Sequence, residues 1–502
     1  MDASLRFARL LALSLAAALP AQASPVLATP ATPSVAPRGE TQIDFEKAAR
    51  NFLAARGVRD PAPDGLELEP LVEKHFVRAR LGAFEVVFPN SGLAQRSEDL
   101  KLAAQALLEA HGRWFDWLKP AGRDQKAHRE DLATLLAWVK SWKTPALTKL
   151  AAQDGGDLGK LLGASDAVKA ALERFEAAMQ RGEAIGAARE TPQRLRLYLL
   201  PTRRDFVEFM AVIGWLQPDQ RANYWLDAAA DWSQAHYNSD QIIALEYSVP
   251  NRPAGVYDQG MGMGKDDPTL LQQQVVQLAL NELFDTLYQG RVPGAFVQGL
   301  SMNLVIDQFG EINTRIDGDL RARVTGKREV FVPGGNKDGG LLTKNSADTR
   351  WRAERGKDHW FKLLRQSQKE GEELDRAAKN RAALFAVRSD DGGKRELVRA
   401  PFLGSAAVAT KVPPEAFAGD FAEFLRAYKS AFIHWLQSKA LNSEKPSREA
   451  FARLIAKLGD SGASGDFESV FAELYSKQPL SNAECDKDCL EGEFLLWLQR
   501  QK

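Results

Sequence analysis

The chain has 502 residues, in which 66 Lys plus Arg face 66 Asp plus Glu, with six His and two Cys. A net charge of zero argues against a nucleic-acid partner, because affinity gained by releasing counterions from phosphates needs a basic excess. Charged residues at 26%, apolar residues at 44%, 11 Trp and 25 Phe exclude wholesale disorder, and the length suggests two or three domains.

At the start, Arg6 and Arg9 precede a small and apolar run from Leu10 to Leu19, and Ala21-Gln22-Ala23 is an A-x-A cleavage signal. Residues 1–23 therefore read as a secretory signal peptide, and its removal takes away Asp2, Arg6 and Arg9 and leaves a charge of −1. The run is too short to span a bilayer, and no later segment reaches that length without charges, so no membrane span is expected. The expected location is outside the cytoplasm, periplasmic or extracellular. Residues 24–42 hold four Pro among Ala, Thr and Val and read as an extended linker.

Residues 43–190 read as a mostly helical region. It is interrupted by one short strand, Phe84–Phe88, and contains helices over Glu98–Leu118, Arg129–Lys143 and Ala164–Arg189. Trp114 with Trp117, and Trp138 with Trp142, share helix faces, and core packing is the favoured reading of both pairs. Residues 191–330 change character. Arg194–Leu200, closed by Pro201, reads as a buried strand, and Gln241–Ser248 as a second. Just before the second strand, Tyr224, Trp225, Trp232 and Tyr237 form an aromatic stretch able to line a cleft. The glycine-rich loop Gly260–Gly264 lacks the spacing and the Ser or Thr of a phosphate cradle.

Residues 331–400 read as a loop around Pro333–Gly340 and a charged helical segment from Thr349 to about Arg388. Residues 401–502 read as helices near Phe421–Leu436, Ser447–Leu458, Phe467–Tyr475 and Glu491–Arg500. Cys485 and Cys489 form an isolated pair that reads as a local disulfide in an oxidising compartment. The metal reading of that pair is weak, because no His lies within forty residues. His75, His111, His128, His236, His359 and His434 are scattered singly and read as surface or core residues.

The chemistry-bearing passage is Thr269–Gly310. An amphipathic helix carries Val276, Ala279, Leu280, Leu283 and Leu287 on one side and Gln277, Asn281 and Asp285 at i, i+4 spacing on another. A short turn with Pro293 and a second helix beginning near Ala295 follow. On chance alone, Asn281-Glu282-Leu283-Phe284-Asp285 is a solvated polar face and Gln298 a helix-start residue. Gly299-Leu300-Ser301 starts like a nucleophile elbow, but it lacks the closing Gly and the preceding strand, so a serine hydrolase is not expected.

A strand, a helix bearing a five-residue motif, a short turn with Pro and a second helix with an acid before Gly form the layout of the gluzincin, or peptidase-MA-like, zinc metallopeptidases. This chain resembles them in Asn281–Asp285 and in Pro293-Gly-Ala-Phe-Val-Gln298-Gly299-Leu300-Ser301. It is also similar in Phe84–Phe88 before a long helix, in the strand ending Leu200 before Arg204-Asp-Phe206, and in Phe467–Phe471 with Phe494–Leu498. The resemblance implies an α+β, predominantly helical fold: a small sheet and an active-site-type helix pair, flanked by helical regions.

The resemblance also implies where zinc ligands would sit. The H-E-x-x-H helix supplies two His and a catalytic Glu, and a later Glu is the third ligand. Here Asn281 and Asp285 replace the two His, Gln298 replaces the acid, and only Glu282 remains. Amide oxygens are weak zinc donors, so zinc is expected to be absent and no cofactor is expected. Without the metal, Glu282 has no activated water to deprotonate. Glu282, Asp285 and Gln298 offer oxygens a hard cation accepts, but nothing in the sequence requires one. The expectation is a non-catalytic, peptidase-like protein binding a peptide, a protein or an envelope polymer. A hydrolase using Glu282 with an unconventional metal site, and a helical structural protein unrelated to peptidases, are the alternatives.

Overall fold

A computed structural model of the chain describes residues 45–58, 74–118, 125–180, 195–216, 234–237, 242–246, 270–288, 294–310, 364–369, 384–388, 395–399, 407–408, 418–438, 448–459, 469–470, 473–474 and 490–500. The expected signal peptide, the linker, both glycine-rich loops, Cys485 and Cys489 lie outside these residues.

Helix α1 (Phe45–Ala54) comes first, followed by the hairpin of β1 (Phe76–Leu81) and β2 (Phe84–Pro89). Gly82, at φ +70°, supplies the positive φ that a two-residue hairpin loop requires. Next come α2 (Asn90–Leu118), α3 (Gln125–Ser141), α4 (Thr144–Lys149), β3 (Gly156–Asp157), α5 (Leu158–Leu161) and α6 (Asp166–Gln180). The chain returns to the sheet in β4 (Leu195–Leu200), then forms α7 (Arg203–Leu216) and the hairpin of β5 (Gln234–Tyr237) and β6 (Ile242–Glu246). The helices α8 (Leu270–Tyr288) and α9 (Gly294–Phe309) follow. A separate three-stranded sheet contains β7 (Leu384–Arg388), β8 (Arg395–Arg399) and β9 (Ala407–Val408), and α10 (Ala418–Ser438), α11 (Arg448–Gly459) and α12 (Leu490–Arg500) close the chain.

The main sheet has six strands in the order β3-β1-β2-β4-β6-β5. β2, β4 and β6 run parallel, while β1 and β5 are antiparallel to their neighbours. Alternation assigns the faces. Val77, Ala79, Leu81, Phe84, Val86, Phe88, Leu195, Leu197 and Leu199 pack into the larger core with α2, α3, α8, α9, α10 and α11. Phe76, Val87, Tyr198 and Leu200 face the other way against α1 and α7. Helices therefore cover both faces of the sheet, and the fold is α+β and predominantly helical.

Strand β1 corrects the helical reading of the segment before Phe84. Val77, Ala79 and Leu81 alternate with Arg78 and Arg80, the period-2 pattern of a half-buried strand that the helical reading passes over. Arg78 and Arg80 share the face of Glu85 and Arg196, and the buried Glu85 accepts from Arg196 Nε at 3.1 Å with Arg80 Nε at 3.7 Å. Arg80 also lies 3.4 Å from Asp157 on β3. The charges are tolerated because they pair across strands. The second correction falls in the charged segment, where 384–388 is a strand of the three-stranded sheet rather than the end of a helix. The third is β9, which places a strand inside the expected C-terminal helical region.

Helix starts follow local capping chemistry. Thr202 Oγ1 accepts from Asp205 N at 3.0 Å while its hydroxyl donates to the Asp205 carboxylate at 2.6 Å, a reciprocal cap at the start of α7. Asp157 accepts from Gly159 N and Lys160 N to start α5. Both Trp pairs are buried in the core, Trp114 to Trp117 with ring centroids 5.9 Å apart and Trp138 to Trp142 with centroids 5.0 Å apart. Among the described residues, no helix is long and apolar enough to cross a membrane.

Candidate functional site

Helices α8 and α9 pack against each other, and α10 lies against α9. Phe284 of α8 meets Trp114 of α2 with centroids 4.7 Å apart, which turns the remaining circumference of α8 into the interior as well. As a result Gln273, Gln277, Asn281 and Glu282 are all buried, Glu282 at 1% exposure. This corrects the reading of Asn281 and its neighbours as a solvated face. Gln277 and Asn281 of the i, i+4 stripe point into protein, so each carries a desolvation cost that hydrogen bonds must offset.

Part of that offset is visible between the helices. Ser301 Oγ of α9 lies 3.1 Å from Asn281 Oδ1 and 3.0 Å from the carbonyl oxygen of Gln298. A single hydroxyl proton serves one acceptor at a time, so Ser301 links the Asn281 amide to the first turn of α9. Ser301 thus ties the Asn281 amide of α8 to α9, while its contact at Gln298 is to that residue's backbone carbonyl and does not involve the Gln298 side chain. The Gln298 side chain is already engaged, because Lys429 Nζ of α10 donates to its Oε1. Asp285 lies on α8, but its side chain is outside the described residues, as are Tyr224, Trp225 and Trp232. Tyr237 belongs to strand β5.

The approach of α10 depends on Gly299. A Cβ there would stand 2.6 Å from Ile433 Cγ1 and 2.7 Å from the Lys429 carbonyl oxygen, so only glycine lets the two backbones come this close. The buried Asn303 amide locks the crossing by donating to the carbonyls of Gly299 at 2.8 Å and Ser430 at 2.9 Å. At its far end α9 is held to α2 by Gln308 Nε2, which donates to the Ala106 carbonyl at 3.1 Å. Ser301 is fully buried in mid-helix, a position no substrate carbonyl reaches.

The donor set does not fit zinc. Asn281 and Gln298 offer amide oxygens, poor zinc donors, and both are committed to Ser301 and Lys429. Among the described residues, no group of three His, Cys, Asp or Glu side chains is placed to hold a metal ion.

Sequence reasoning did not find Ser301, Asn303 or Lys429 as partners of this site. Ser301 was visible, but the elbow comparison tested it for the wrong chemistry, and Lys429 is 131 residues from Gln298. It also missed a second polar cluster. His111 of α2 and His128 of α3 come together with ring centroids 5.2 Å apart, enclosed by Phe115 and Phe175. Burial, and then the neighbouring His128, push the His111 pKa well below its usual value. His434 is half-buried near Trp497, whereas His359 and the side chain of His236 lie outside the described residues.

No protein-family model, no curated protein and no solved structure matches this chain.

Proposed function

We propose that the chain is an exported, non-catalytic, peptidase-like protein that binds or scaffolds a peptide, a protein or an envelope polymer. Its helix pair retains the layout of a gluzincin zinc site and has lost the metal chemistry. The observation that carries this reading is that two positions that would hold zinc in the resembled family carry amides engaged with protein partners, Asn281 with Ser301 across the helix pair and Gln298 with Lys429 of α10. The burial of Glu282 weighs against the hydrolase alternative, since a general base must reach a water beside its substrate.

The mature chain, purified without chelator, is expected to carry no stoichiometric zinc and to leave casein and a mixed peptide library uncut. Hydrolysis that disappears in Glu282→Gln would overturn the reading. The export signal is tested by cell fractionation, with the chain expected outside the cytoplasm and shortened by the 23 residues of the signal peptide. Pull-down on immobilised peptides and on sedimented cell-wall polymer separates the ligand classes. Binding to neither leaves the helical structural protein as the better description.

A further inference from the structure

We propose that Lys429 is the resident cation at Gln298, the position that in the resembled family would supply the third metal ligand. The inference rests on the reading of α8 and α9 as a former metal site and identifies what replaced the ion. Three independent contacts fix Lys429 there. Gly299 brings the α9 backbone against the Lys429 carbonyl, Asn303 ties the next residue, Ser430, to the same turn of α9, and the Lys429 ammonium reaches Gln298 Oε1. The backbone at 429 is therefore held by bonds that do not involve its own side chain, and the ammonium is delivered to position 298 by the helix crossing itself.

This has a chemical consequence for the ligand position. A carboxylate at 298 would pair with an ammonium already in contact, making a charge-assisted bond stronger than the present one to an amide. It would be spent on Lys429 before it could serve a metal. A divalent ion bound beside that ammonium would also be opposed by the repulsion between two like charges a few ångströms apart, which partial burial leaves poorly screened. The loss of the metal site is thus locked from α10, outside the motif. Restoring the three motif residues leaves the lock in place.

The experiment measures zinc affinity by competition with a chromophoric chelator at pH 7.5. Three full-length variants are compared: N281H/D285H/Q298E, the same triple with K429M, and the same triple with K429R. The triple and its K429R derivative are expected to bind zinc weakly, and the K429M derivative at least about a hundredfold more tightly, as expected for removing one nearby like charge from a poorly screened site. Equal affinity in the triple and its K429M derivative overturns the inference and leaves the metal-site reading standing. Equal gains from K429M and K429R also overturn it, because the effect is then packing and not charge. Zinc binding in none of the three overturns the metal-site reading itself, and the inference falls with it. Melting curves establish that each variant is folded, and K429Q replaces K429M where the latter does not fold.

Discussion

Two clusters of polar side chains are buried in this molecule, and they are held by different physics. Around α8, α9 and α10, Asn281, Ser301 and Asn303 do not titrate, and directed hydrogen bonds to named carbonyl and amide groups fix the helix crossings. Between α2, α3 and α6, His111 and His128 are packed ring on ring with Phe115 and Phe175, and their fit depends on imidazole staying neutral. In the first cluster the bonds that fix the crossings are made by groups that carry no titrating proton. The second makes one helix interface sensitive to protons. The resembled family's chemistry would place two histidines in the first cluster, and the paired histidines found here lie in the second.

The sharpest way to break the first cluster is at its closest approach. Gly299→Val should cost about 3 kcal/mol, because the added side chain meets the Lys429 carbonyl, which cannot move without shifting α10. Urea denaturation measures this, and a change below about 0.5 kcal/mol would show that the helices do not meet as described. Asn303→Ala should cost about 2 kcal/mol by withdrawing both donors from the Gly299 and Ser430 carbonyls. That loss should be the same at pH 5 and pH 8. A pH-dependent loss would show that a titrating neighbour governs these bonds and erase the contrast with the second.

The second cluster should respond to acid in a defined direction. The folded-state pKa of His111 is depressed, so below the unfolded value of about 6.5 the unfolded chain binds a proton that the folded chain refuses. Stability is fully present above that value. It falls by up to about 1.4 kcal/mol per pH unit below it, until the depressed folded pKa is reached. His111→Phe should flatten this part of the stability profile. A wild-type profile that stays level between pH 7 and 5 would remove His111 as an acid-sensitive contact. The nearby Asp131 and Arg174 are paired with each other across α3 and α6 by two guanidinium nitrogens, so they do not take the place of a counter-ion for His111.

Periodicity made the helices and the parallel strands β2, β4 and β6 readable, because their apolar residues recur at the spacing of a buried face. The period-2 alternation of β1 was equally legible and was passed over; what a linear pattern does not contain is the register that sets Arg80 beside Glu85. The α8–α9 pair was readable as a unit. The burial of Asn281 was not, because a polar i, i+4 stripe looks the same whether it faces solvent or Ser301. Lys429 and the His111–His128 contact were out of reach for a simpler reason. Both are tertiary meetings between helices, and no local spacing encodes them.

Arg56 provides the smallest effect and a control for the whole comparison. It follows α1 and is partly buried, with its guanidinium 3.4 Å from the centre of the Phe52 ring and Nη1 donating to the Phe52 carbonyl at 3.0 Å. Burial pushes its pKa down to about 10, against the pull of Asp205 and Glu208 on α7. Like the histidines, it is a basic group against aromatic rings. Unlike them, it stays protonated throughout the range from pH 5 to 8. Arg56→Met keeps most of the stem and removes the charge, so it should cost about 1 kcal/mol through the lost ring contact and hydrogen bond. The loss should be smaller at pH 5 than at pH 8, because burial and then the Arg56 charge hold the His75 pKa below its usual value, and the substitution relieves the second of these. A loss that is level or grows toward pH 5 would show that the Arg56 charge does not act on His75, and Arg56 would no longer serve to separate charge from ring contact.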